Sequence, residues 1–234
     1  MKQKSFVDLL RIRVPLLLGV LILCLFMSAN AFAVPVANAS VRAAHAAPGA
    51  GNVDVFVDGN KALTNFAYGT VSDYVSVPAG THTLKVAPTG KGVGAAVITQ
   101  SVNVTAGDFY TIAAVGTKAT GFGLQAFTDD NSLGGAAAKV RVYHLSPNAG
   151  PVNVSVGGKQ VITNLNYKNA SGYLPVPAGT STFNVTAVQA KATVPVQATL
   201  KAGTVNSVFA IGLYKQTPAL QFVVKTVAGA KQPA

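Results

Sequence analysis

The chain is predicted to be all-β: two tandem antiparallel immunoglobulin-like β-sandwiches behind an N-terminal signal helix. Three observations carry this prediction. The stretch Val77-Pro78-Ala79-Gly80-Thr81-His82-Thr83-Leu84-Lys85-Val86 returns ninety-nine residues later as Val176-Pro177-Ala178-Gly179-Thr180-Ser181-Thr182-Phe183-Asn184-Val185. At that offset Val41 to Val86 and Val140 to Val185 agree at 22 of 46 positions, so the chain is a duplicated unit. Within each copy apolar and polar residues alternate with period two, the mark of half-buried strands. The runs are short and end in turn residues such as Asp58-Gly59-Asn60 and Ala106-Gly107-Asp108, as in a sandwich.

The N-terminus carries Lys2, Lys4, Arg11 and Arg13, then the apolar run Val14 to Met27, then Ala31-Phe32-Ala33. Basic head, apolar middle and small-residue end read as an export signal over residues 1–33. Val14 to Val36 is also long enough to span a bilayer, which leaves an uncleaved membrane anchor as the second reading. Cys24, the only cysteine, lies inside this segment and lacks the small residues before it that lipidation requires. Cleavage would leave a thiol-free chain, without disulfides or cysteine-based metal chemistry.

In the first copy Val53, Val55 and Val57 point one way and Asp54, Phe56 and Asp58 the other. The second keeps Val152, Val154 and Val156 but replaces the other set with Asn153, Ser155 and Gly157, so only the core face is held. The Pro-Ala-Gly turn is predicted to join two antiparallel strands as a hairpin, with positive φ at Gly80 and Gly179. Seven strands are expected per copy, near 40–45, 53–58, 71–77, 81–87, 97–104, 109–116 and 123–128, then 139–144, 152–157, 171–176, 180–187, 193–200, 205–213 and 219–226. The domains are therefore 40–130 and 139–228. Residues 131–138, rich in glycine and alanine, are expected to be a flexible linker between independently folding halves.

Charge divides unequally. Residues 41–134 hold five bases and six acids, whereas 139–234 hold nine bases and no acid. An acid-free cationic copy suits polyanions of a cell envelope, wall polymers or acidic polysaccharide, attracted over a Debye length; surface lysine also simply keeps a domain soluble.

The pattern Val-Arg-x-x-His-x-x-Pro from Val41 and Val140, followed by alternating valines, a tyrosine and Val-Pro-Ala-Gly-Thr, resembles the domain-of-unknown-function family 4397. Both copies match it. The resemblance implies secreted bacterial proteins of tandem immunoglobulin-like repeats, and it implies no particular activity.

His45 and His144 recur at a strand end before Pro48 and Pro147, where a buried ring is expected to hold loop backbone groups. Arg42 and Arg141 recur on the opposite face and suit either loop carbonyls or an acidic ligand. Tyr68, Tyr74, Tyr167 and Tyr173 are either edge-pinning residues or a sugar-stacking platform. Asp54, Asp58 and Asp73, or Asp129-Asp130-Asn131, have the oxygens for Ca²⁺, but the first set becomes Asn153, Gly157 and Gly172 in the other copy, which argues against a metal. No cofactor is expected. An acid-free copy excludes a paired-carboxylate mechanism there, and no Gly-x-Ser-x-Gly elbow occurs, so the chain is not expected to be an enzyme. Dispersed bases without an aromatic-basic motif argue against nucleic acid.

The expectation is a non-catalytic secreted or cell-surface module with a structural, adhesive or display role. The alternative is a polyanion- or carbohydrate-binding module working through Arg141, Lys159, Lys168 and Lys201 of the second copy. Membrane contact is expected only through an uncleaved N-terminal segment.

Overall fold

The computed structural model describes residues 37–134, 136–189 and 191–230; residues 1–33, expected to be an export signal or an anchor, lie outside them with Cys24. The first copy runs β1 (Asn38–His45), β2 (Val53–Val57), β3 (Asn60–Phe66), β4 (Val75–Pro78), β5 (Gly80–Pro88), β6 (Ile98–Val104), β7 (Phe109–Thr117) and β8 (Gly121–Asp129). The second runs β9 (Ala138–His144), β10 (Val152–Val156), β11 (Lys159–Leu165), β12 (Asn169–Ala170), β13 (Leu174–Val176), β14 (Gly179–Ala187), β15 (Ala192–Leu200), β16 (Thr204–Ile211) and β17 (Gln221–Ala228). Among the described residues the single helical element is a 3-10 turn at Val93–Ala95. No helix among them is long and apolar enough to cross a membrane.

Each copy is a sandwich of two sheets, as alternation requires. In the first the orders are β4-β1-β7-β8 and β3-β2-β5-β6; in the second they are β12-β9-β16-β17, with β13 also on β9, and β11-β10-β14-β15. The inward sets sit where predicted: Val53 and Val86 are buried in the first copy, Val152, Val154 and Phe183 in the second. One pair in each copy departs from the antiparallel rule. β1 runs parallel to β7 (Ser40 beside Phe109, His45 beside Ala114), and β9 runs parallel to β16.

The Pro-Ala-Gly turn is not a hairpin. β4 pairs with β1, whereas β5 pairs with β2 and β6, so the turn carries the chain from one sheet to the other. Alternation is the same whether two consecutive strands pair or face each other across the core, which is why sequence alone favoured the hairpin. Gly80 and Gly179 do take positive φ, +134° and +124°.

The seven-strand pattern also missed β3 and β11. Both pairings are interrupted by register shifts, between Val53 and Phe56 and between Val152 and Ser155. Asn65 and Asn164 stand there at φ 52°, and each donates its N–H to the residue opposite, Asp54 Oδ1 at 2.9 Å or Asn153 Oδ1 at 2.7 Å. Such a bulge breaks period two, and with it the sequence signal.

The faces read as outward on β1 and β9 are not solvated. Ala44, Ala46, Ala113, Val115 and Phe127 of the first copy share one buried cluster with Tyr143, Leu145, Phe209 and Ile211 of the second. The described residues of the two copies form one compact unit, where two free domains on a flexible linker were expected. The connector is itself held. Asn131 is buried, its carbonyl accepts the Ala230 N–H at 2.8 Å, and the Gly203 N–H bonds Ala137 O at 2.7 Å.

Candidate functional site

The equivalent strands β1 and β9 bring Arg42 and Arg141 to the seam between the copies, and β8 ends there with Asp129. Arg42 is 1% exposed and the Asp129 carboxylate is fully covered. Arg42 Nη2 lies 3.4 Å from Asp129 Oδ2, and Arg141 Nη1 lies 3.0 Å from Oδ1. Tyr74 donates to Oδ2 at 2.7 Å, Thr111 donates to the same oxygen, and Tyr143 donates to Oδ1. Arg42 reaches across to Ser207 Oγ at 2.7 Å and bonds Thr111 Oγ1 through Nε at 2.8 Å. Its guanidinium also lies over the rings of Tyr74, at 4.6 Å, and Phe209, at 5.4 Å.

Arg141, expected on the polyanion face, is committed to this seam as well. It donates to Ser171 O at 3.0 Å and Thr128 O at 2.7 Å, besides Asp129. Burial, and then the Asp129 charge, push the hydroxyls of Tyr74 and Tyr143 far above the ordinary tyrosine range, so both stay protonated as donors.

The tyrosines weighed as a sugar platform are turned inward. The Tyr173 hydroxyl accepts the Asp130 N–H at 2.8 Å, and the Tyr167 hydroxyl accepts the Gly116 N–H of the other copy at 2.9 Å. Tyr68 packs edge-on against His45 with ring centroids 5.8 Å apart. His45 and His144 do what their position predicts: each Nε2 bonds a loop carbonyl, Gly51 O at 2.8 Å or Gly150 O at 2.7 Å. Their burial outweighs those bonds and pushes both rings below the ordinary histidine range, so they are neutral and donate.

The aspartates weighed for calcium do not converge. Asp54 is held down to about 2 by the Lys61 ammonium and the Asn65 N–H. Asp58 pairs with His82 at 2.6 Å, and Asp73 pairs with Lys225 at 2.7 Å. No group of three or more ligating side chains stands together among the described residues.

Three bases of the acid-free copy thus find their acids elsewhere: Arg141 on Asp129, Lys139 on Asp130 at 3.1 Å, and Lys225 on Asp73. Part of the charge asymmetry therefore belongs to the seam. Among the described residues Lys159, Lys168 and Lys201 are exposed and make no ion pair. They do not gather at one point. Lys201 precedes Thr204, which pairs with Ala138 at one end of β9, and the Lys168 N–H bonds His144 O at the other. The two ends are about 20 Å apart by strand rise.

Asp129 stood out in the sequence only as a calcium candidate and not as the organiser of this cluster, because no counterpart aspartate exists in the second copy. A recurring Arg on a nominally outward face was the available signal. Fold and seam together define a tandem β-sandwich module whose halves share a buried polar cluster. The family model described as domain of unknown function (DUF4397) matches residues 39–154 and again 138–232, and the chain belongs to that family. Comparison with curated proteins gave no match.

Proposed function

We propose that the chain is a non-catalytic module, exported to the cell surface or beyond, where it serves a structural, adhesive or display role. The observation that carries this reading is the seam. Apart from Arg42 Nη1, which is buried without a partner, its polar groups are spent on one another: both oxygens of Asp129 are bonded several times over and its carboxylate is fully covered. A buried arginine pair on one carboxylate fixes how surfaces meet more than it stabilises them, which suits a part that must hold two domains in one arrangement. The basic head and apolar run before Ala33 support export.

Cell fractionation with N-terminal sequencing tests the reading. A chain beginning after Ala33 and removed by protease shaving of intact cells, or found in the medium, is expected. A chain retaining Met1 in the cytosol would contradict it.

Exposed, unpaired Lys159, Lys168 and Lys201 favour a second reading, diffuse contact with an acidic polymer. Retention on a heparin column that falls steeply from roughly 0.05 to 0.5 M salt supports it. Each single charge reversal should then weaken retention only partly, and retention unaffected by all three reversals together would oppose it.

A further inference from the structure

The two sandwiches share an alternation pattern but differ inside. In the second copy one buried cluster includes Val142, Ile162 and Phe183. In the first copy the buried residues separate into two, one with Val104 and Ile112, the other with Val53 and Val86. Between the sheets lies a cavity of about 120 Å³, walled by side chains such as Val41, Val55, Leu63 and Leu84. The register names what opens it. Ala43 stands where the second copy has Val142, Ala62 where it has Val161, Leu84 where it has Phe183, and Leu124 where it has Phe222. Ninety-nine residues away the same sandwich keeps only about 40 Å³ of it, at the end beside His144, Val152 and Phe222, so the fold does not demand the larger gap.

The wall runs from His45 and Val53 at one end to Val57 and Val77 at the other, about 13 Å along the strands. So small a volume spread over that length is narrow, a shape for a chain more than for a ring. Ala62, on edge strand β3, is exposed, and Val75, on edge strand β4, is 58% exposed, which places the mouth between these two edges. The opposite side is closed by β6 against β8. The lining is almost wholly apolar, so a ligand carrying hydrogen-bonding groups inward would lose them to no partner. Apolar cavities of this size stay dry and accept small hydrocarbons.

We propose that the first copy takes the end of an unbranched aliphatic chain into this gap and leaves the polar head in solvent between β3 and β4. The volume is too small for a whole lipid, so only the terminal segment enters.

The test is methyl NMR of the purified chain titrated with decanol, decanoate and 1,10-decanediol. Saturable shifts of Val41, Leu63 and Leu84 methyls with decanol and decanoate are expected, with little response to the diol, whose far end is polar. A response to decanol alone would exclude carboxylate headgroups and still support chain entry. Leu84→Phe, which installs the second copy's residue, should weaken binding roughly tenfold or more. Should that variant fail to fold, Ala62→Val narrows the mouth at an exposed edge and should weaken binding in the same direction. The proposal is overturned by binding unchanged in the folded variants, by equal shifts at Val142 and Ile162, by diol binding as tight as decanol, or by contacts showing that Val14 to Met27 already fill the gap.

Discussion

Arg42 and Arg141 hold the same position in the two copies and meet on opposite oxygens of one carboxylate, that of Asp129. Duplication supplied two cations at the seam, and a single aspartate at the end of β8 pairs with both. Replacing it by alanine would leave Arg42 buried without its counterion. Breaking a buried pair in this way costs about 3–5 kcal/mol, so Asp129→Ala should lower the denaturation midpoint of the full chain strongly, and Asp129→Asn less. Chemical denaturation reads both; an Asp129→Ala midpoint near wild type would show the seam to be dispensable.

Gly116 and Gly212 are equivalent residues just before the β7–β8 and β16–β17 turns, at φ +98° and +92°. A Cβ on either would collide with backbone across the turn, the carbonyl oxygen of Gly121 or of Ala219. Backbone cannot swing aside as a side chain can. Gly116→Ala and Gly212→Ala should each lose at least the ~1–3 kcal/mol of a strained backbone. Gly59→Ala, at φ +83° with open space around it, should lose less. Thermal melting of the three variants checks the order.

His82 answers to pH in the opposite sense from the buried histidines. The Asp58 carboxylate, and then Pro78 O, raise the His82 ring above its ordinary value of 6.5, so its contribution is full below 6.5 and is lost as pH rises through the folded value. Asp58 is lowered by the same hydrogen bond, so its share is present above the ordinary carboxylate value and is lost as pH falls through its folded one. His45 and His144, lowered by burial, stabilise above 6.5 and cease to do so as pH falls toward their folded values. The difference in melting temperature between wild type and His82→Ser, the second copy's residue, should therefore be larger at pH 5.5 than at pH 8. An equal difference at both would remove the pair from the account.

Sequence read the inward sets of both copies and the loop-binding histidines, because a strand with one buried face writes its period into the chain. It could not read which strands pair, so β4 and β5 looked like a hairpin. It lost β3 and β11 because the bulges at Asn65 and Asn164 shift the period within the strand. The seam was hidden for a different reason: Arg42, Thr111 and Ser207 are polar, and polar residues at alternate positions look solvated. Their burial depends on a partner surface far away in the chain, Ser207 standing 165 residues from Arg42. The cavity became legible only once register showed Leu84 standing where the second copy has Phe183.

The central claim is that the copies share one core. Residues 37–134 and 138–230, expressed separately, should each melt below the full chain, because each bares one face of the cluster that joins Phe127 to Tyr143 and Phe209. The full chain should melt in one transition. Two halves that each melt cooperatively at the temperature of the full chain would contradict the claim and restore two independent domains.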